Sequence, residues 1–411
     1  MKTPYSNQLT ADFPFIKKKA KLPFLINLIF ILTPLVLFGE IEFLGYRMSG
    51  WGWFIPFIFA LLILARRLGT IKFPVLIWLP WAIVVIIYLL FPNYNALQRS
   101  LQLLCPIVVG MAVSTYRFEE SHILRFFTLC RYLAIALIIV VVLKTGVLLT
   151  GALPWVTGLA PQVMTGMLLC NIFAAQYVYG MKRAFSWWGI LSAIPVIALT
   201  RTAIVATGLT LPLTFAPLKI RKRVFILIAM CILGFILFYT PRIQSKMFYS
   251  EQGEMSDVVS KDFRDTGRFR LWDYMMDEIE KKPWFGHGAN VNEKFIYAIT
   301  GSLAHPHNDW LRLLFDYGYF GAVIFALCIV VQVVHLLRKA WNCTGGARVL
   351  FYAGASSFIS LSLLMVTDNI IIYTSYFNNL QFLILGIAYA SFMSMQKTDT
   401  KPQSRTGMRW R

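Results

Sequence analysis

Runs of about 20 apolar residues recur along nearly the whole chain, and nothing else in the sequence limits its fold so strongly. Inside a bilayer each backbone N–H and C=O must find a partner within its own segment, so such runs are read as membrane-crossing helices. Composition agrees: 58% of the 411 residues are apolar, 14% are charged, and the mean hydropathy is +0.63. The predicted fold class is therefore an all-α polytopic membrane protein. Spans are expected near residues 24–41, 51–65, 74–91, 97–114, 126–149, 162–180, 186–200, 202–217, 224–240, 317–337, 348–367 and 373–394.

Twelve spans return both termini to one side. The plan is a cytoplasmic tail at 1–23, nine spans over 24–240, a non-cytoplasmic loop at 241–316, three spans over 317–394 and a basic tail at 395–411. The stretch to Pro23, with Lys17, Lys18, Lys19 and Lys21, precedes apolar residues without a small-residue cleavage site, so the first span is expected to be retained. The split at Thr200–Arg201 is needed to keep the basic loops at Lys182/Arg183 and Lys219–Arg223 on one side.

A net charge of +20 raises the question of nucleic acid. Most of the excess sits in the tails and in alternate short loops, such as Arg66, Arg67, Arg338 and Lys339, which is the positive-inside pattern. No nucleic-acid partner is expected; membrane lipids are the expected surroundings. Six cysteines show no CxxC and no metal-ligand spacing. No cofactor motif appears.

The one sizeable extramembrane segment runs from Pro241 to about Trp310. From Arg242 to Asp309 it holds nine Lys/Arg and eleven Asp/Glu, so it is no basic patch. Ser250–Asp265 is polar, without clear period, and expected to be mobile. Arg268, Trp272, Met275, Met276 and Ile279 then recur at helical spacing up to Pro283, as in an amphipathic helix lying on a membrane surface. A PWFGHG turn and a second short helix through Glu293–Ile299 lead to His305.

The segment HPHNDWLRLLFDYGYFG, His305 to Gly321, sets two histidines, an Asn and an Asp before an apolar helix. Imidazole accepts a proton at neutral pH, so His307 is the candidate catalytic group, and Asn308 and Asp309 suit a helix N-cap that orients it. The plainer reading is a capping or interfacial histidine. His305, with His287 and Asp309, raises the possibility of a metal site, but HxH alone does not complete a ligand set. Arg268 and Arg270 head the surface helix, and Arg201 emerges on the same side. Guanidinium forks match diphosphate, which points to a lipid-linked phosphate substrate, against plain contact with headgroups. Asp368, between the last two spans, caps a helix or neutralises an arginine. Gly318 and Gly321 suit close helix packing.

These segments resemble the bacterial O-antigen ligase family. Its pattern of His, then Asn/Ser/Gln, nine residues, Gly, two residues and Gly/Thr/Tyr is matched by His307-Asn308, Asp309–Tyr317, Gly318 and Gly321. GRFRLWDYMMDEIEKKPWFGHG resembles the family's Arg-x-x-x-Trp helix and Pro-x-x-Gly-x-Gly turn, through Arg268, Trp272, Pro283, Gly286 and Gly288. LTRTA resembles the segment opening a mid-chain span, with Arg201 matching. Asp316 departs from the usual Glu. The resemblance implies a GT-C-like, metal-independent, inverting glycosyl transfer in the inner membrane with its site facing the periplasm. The implied donor is an undecaprenyl-diphosphate-linked O-antigen and the implied acceptor a sugar hydroxyl of the lipid A core. The resemblance points to catalysis by His307, Arg268 and Arg201; substrate contact is expected of Arg270, Asn308, Trp272, His305 and Asp368. An O-antigen polymerase is the alternative within the superfamily; a lipid-linked-glycan transporter or flippase is the alternative outside it, but no internal repeat supports it. Oligomeric state is left open.

Overall fold

The computed structural model describes residues 21–38, 42–90, 96–150, 158–260, 262–264, 267–303 and 305–399. The expected tails, with Lys17, Lys18 and Lys19, lie largely outside the described residues. The described chain is almost wholly helical: α1 Phe24–Phe38, α2 Met48–Arg67, α3 Val75–Leu89, α4 Ala96–Ser114, α5 Glu120–Thr150, α6 Ala160–Val178, α7 Arg183–Ser192, α8 Ile194–Ile197, α9 Arg201–Gly208, α10 Ile220–Phe238, α11 Pro241–Met247, α12 Arg268–Lys281, α13 Val291–Thr300, α14 Asp309–Trp341, α15 Gly345–Leu364 and α16 Asn379–Asp399. Two short strands, β1 Glu42–Phe43 and β2 Tyr46–Arg47, pair antiparallel. Leu44 and Gly45, both at positive φ, form the two-residue turn whose twist suits a hairpin.

Where twelve spans are expected, five described helices are long and apolar enough to cross a membrane: α2, α4, α5, α14 and α15. A sixth is the pair α10–α11, bent by 77°. Pro241 opens α11, where its missing N–H costs no helical hydrogen bond. The physical reasons for the shortfall differ by helix. α1 and α3 are apolar but of 15 residues each. α6 is buried on all faces from Gln162 to Gln176, so it has no lipid-facing side and carries Thr165 and Asn171 inside the bundle. The spans expected at 186–200 and 202–217 are broken pieces. α8 stops at Ile197, Leu199 takes φ +52, and α9 has only eight residues, about 12 Å of rise against the roughly 30 Å of a hydrocarbon core. The chain does break ahead of Arg201, as the sequence predicts.

The main core gathers α4, α6, α15 and α16 with the faces of α1–α3 and α5 turned toward them. α4 and α16 cross closely because a Cβ on Gly386 would lie 2.7 Å from the Gly110 carbonyl oxygen. A second, smaller core joins Leu271, Met275 and Ile279 of α12 to Ile296 of α13 and to Leu311 and Phe315 of α14. The apolar stripe of α12 is thus spent on protein, not laid on a membrane surface. At about 1.5–3 kcal/mol per fully buried side chain, six such residues fasten this lobe to the head of α14.

The described ends of the segment from 247 to 264 pair with each other. Tyr249 N–H donates to Asp262 O at 2.9 Å, Arg264 N–H donates to Met247 O at 2.8 Å, and buried Phe248 packs edge-on to Phe238 and Phe263. Lys261 and Asp265 lie outside the described residues.

Candidate functional site

The site forms where the head of α14 meets the segment between α15 and α16. Asn308 caps α14, its side chain accepting from Leu311 N–H at 3.0 Å, as the sequence predicts. Asp309 is fully buried and fixes the facing segment: Oδ2 accepts from Ile371 N–H at 2.7 Å, while its own N–H donates to Met365 O at 2.7 Å. His307, just ahead of the cap, takes φ +52. A non-glycine residue in the left-handed region costs about 1–3 kcal/mol and persists only where the surroundings impose it.

Those surroundings are Asp368 and Asn369. Asn369 Oδ1 accepts from His307 N–H at 3.0 Å, and Asn369 Nδ2 lies 3.1 Å from His307 Nδ1. A backbone N–H can only donate, so the amide oxygen must face it and the amide nitrogen must face the ring. Nδ1 is then an acceptor, and the neutral ring carries its proton on Nε2. Asp368 Oδ1 stands 3.8 Å from the same Nδ1, and Asn369 N–H donates to that Oδ1 at 2.8 Å. The ring therefore has two partners at one nitrogen, an amide donor now engaged and a carboxylate ready to take an N–H.

Arg268 reaches the same segment, its Nη1 donating to Thr367 O at 3.2 Å, one residue before Asp368. Arg201 donates to Arg264 O at 2.9 Å, and its guanidinium lies 4.7 Å from the Phe263 ring centre, just upstream of α12. Arg201 is thus tied to the segment that leads into α12, and Arg268 to the α15–α16 connection beside His307, though neither makes a direct bond to His307. Trp272 Nε1 donates to Pro306 O at 2.8 Å and so braces the residue before His307. Arg270 is exposed on the other face of α12, 3.1 Å from the Tyr274 hydroxyl, whose hydrogen bond raises the guanidinium pKa. His305 Nδ1 lies 3.5 Å from Glu293 Oε1. Among the described residues, no cluster of three or more His, Cys, Asp or Glu is arranged as a metal site.

Two features are not foreseen by the sequence reading. The first is how the glycines work. α14 is kinked at Gly318 (φ 65, ψ −172), and the Pro283–Gly288 turn fills the gap in its hydrogen-bond ladder. Tyr319 and Phe320 N–H donate to Pro283 and Trp284 O at 2.8 and 3.1 Å, while His287 and Gly288 N–H donate to Phe315 and Asp316 O, each at 2.9 Å. A Cβ on Gly318 would lie 2.4 Å from Trp284 carbonyl atoms, and one on Gly286 would lie 2.6 Å from Gly318 N. The two glycine motifs are one backbone-to-backbone joint.

The second is a buried ionic network beneath His305. Arg312 donates to Asn290 Oδ1 at 2.9 Å and lies 3.6 Å from Glu293 and 3.9 Å from Asp316. Arg99 of α4 meets Glu293 at 2.7 Å. Asp316 accepts from Asn290 and Asn292 N–H at 3.1 and 3.0 Å, holding the start of α13. Its position ahead of the first motif glycine was noted; its partners, 24 and 26 residues away, left no local signal.

Comparison with known proteins bears on this region directly. The O-antigen ligase family model matches residues 184–326, which include Arg201, Arg268, the glycine joint and the head of α14. A relative described as an O-antigen ligase, from Pseudomonas aeruginosa, is 26% identical over 182 residues, covering 40% of this chain and 42% of that protein. The matched part is thus about two-fifths of the curated relative's length. Over its site-bearing segment, residues 184–326, the chain is similar to the O-antigen ligase family.

Proposed function

We propose that the chain is an O-antigen ligase, joining an undecaprenyl-diphosphate-linked O-antigen to a lipid A-core sugar hydroxyl without a metal. The observation that carries this reading is His307, held in a strained conformation between Asn369 and Asp368, with Arg268 fixed to the adjoining Thr367.

In the proposed reaction the acceptor oxygen attacks the anomeric carbon from the face opposite the diphosphate, so the configuration inverts. The carbon–oxygen bond to the diphosphate breaks, and its electron pair leaves on the phosphate oxygen. Arg201 and Arg268 hold that developing charge with forked donors that stay protonated. The hydroxyl proton passes to His307. For Nε2 to receive it, the resting tautomer must move its proton to Nδ1, where Asp368 accepts the N–H in place of Asn369. Asp368 then stabilises the imidazolium. Trp272 and Asn308 keep the loop and helix start in place.

The site end of the bundle gathers the β1–β2 hairpin, the start of α4, the 241–308 segment and the α15–α16 connection. We assign this end to the periplasmic face of the inner membrane, both termini to the cytoplasm, and a GT-C-like layout of about twelve crossings to the whole. Purified protein in lipid nanodiscs, given undecaprenyl-diphosphate glycan and lipid A-core, is expected to form the glycan-extended lipid, with no added metal needed. Absence of product with both substrates present contradicts the reading.

A further inference from the structure

Beside His307 lies a polar cavity of about 520 Å³, within the size range of small-ligand pockets. It opens between the β1–β2 hairpin, the start of α4 and residues 372–376. His305 is in its wall, two residues from His307, and so is Tyr373, whose hydroxyl reaches Asp368 at 3.5 Å. We propose that this cavity binds sugar residues of the acceptor and presents one hydroxyl to His307; the assignment rests on the glycosyl-transfer reading above.

The lining has the chemistry of a carbohydrate site. Tyr46 and Tyr376 offer aromatic surface to the C–H faces of a pyranose, while Gln98, Gln102 and Arg99 offer donors and acceptors to hydroxyls. Trp53, also in the wall, is 4% exposed, and its indole N–H has no hydrogen-bond partner among the described residues. Charge argues against a phosphate occupant. Arg99 is neutralised by Glu293 at 2.7 Å and Arg47 faces Glu42 at 4.0 Å, so the cavity is close to balanced. Arg268 meets the α15–α16 connection at Thr367, before the Asp368–Asn369 pair that holds His307, and the cavity wall takes up the same connection after that pair, from Ile372 to Tyr376.

The test is calorimetric titration of the full chain in nanodiscs with deacylated core oligosaccharide from cells that lack ligation. Gln98 is exposed on a helix, so Gln98→Ala and Gln98→Trp leave the fold intact while removing a contact or filling the cavity. Wild type is expected to bind the core oligosaccharide, Gln98→Ala to bind about threefold more weakly, and Gln98→Trp at least about tenfold more weakly. No binding by wild type, equal binding by all three, or Gln98-dependent binding of the deacylated repeat unit in place of core overturns the proposal. Binding is read without donor: core binding that depends on Gln98, alongside no transfer, keeps the subsite as a glycan site and overturns only the ligase reading.

Discussion

At His307 a single ring nitrogen faces an amide donor at 3.1 Å and a carboxylate at 3.8 Å, and this pairing sets what the residue can do. If Asp368 holds the Nδ1 proton during transfer, Asp368→Asn removes the charge that stabilises the imidazolium. Its kcat is expected to fall by about 10²-fold with donor KM little changed, measured in the nanodisc transfer assay. Equal kcat for Asp368→Asn and wild type contradicts that role. Arg268 is expected to tolerate lysine poorly, because a point charge replaces a fork: Arg268→Lys should lose about tenfold or more in kcat/KM, and unchanged kinetics would reduce Arg268 to a structural contact with Thr367. The Asn308 cap was legible in the sequence because a capping residue and its helix are neighbours in the chain. Asn369 was not, since its bond to His307 spans 62 residues and no periodicity encodes such a pairing.

Among the elements, the joint between the Pro283–Gly288 turn and the α14 kink fixes the site lobe on the bundle. Gly318 combines a glycine-only backbone conformation with contact to Trp284 at a distance no Cβ tolerates. Gly318→Ala is expected to destabilise the protein by about 3 kcal/mol or more, seen as a lower midpoint of thermal unfolding in detergent. A midpoint equal to wild type would show that the turn does not seat in the kink. Arg312 tests the network below His305: Arg312→Leu leaves buried Asp316 without its cationic neighbour, while Glu293 keeps Arg99, and should cost about 3–5 kcal/mol by the same measurement. The period of α12 was readable from its residues, but the partner of its apolar face was not. An amphipathic stripe fits a membrane surface or a neighbouring helix equally well, and here Ile296, Leu311 and Phe315 take it. Likewise, apolar runs at 186–200 and 202–217 gave composition without continuity; Leu199 at positive φ breaks them.

For the whole molecule, the sequence pattern foretold the all-helical bundle, and the helix starting at Asp309 carries polar site residues at one end and an apolar stretch beyond its kink. Loops far apart in the chain converge at that end: Ser375 bonds Ser49 O, Arg99 meets Glu293, and Asn369 meets His307. Such convergence suits the proposed transfer between two lipid-borne substrates that diffuse in one leaflet. The most direct test is a gel profile of lipopolysaccharide from cells lacking the gene, complemented by wild type or by His307→Ala expressed to the same level in the membrane. The ligase account predicts bare core in the null strain, polymerised glycan accumulating on the polyprenyl lipid, and rescue by wild type alone. Full O-antigen display with His307→Ala would contradict the assignment of His307, and core capped by a single repeat unit in the null strain would make the protein a polymerase instead.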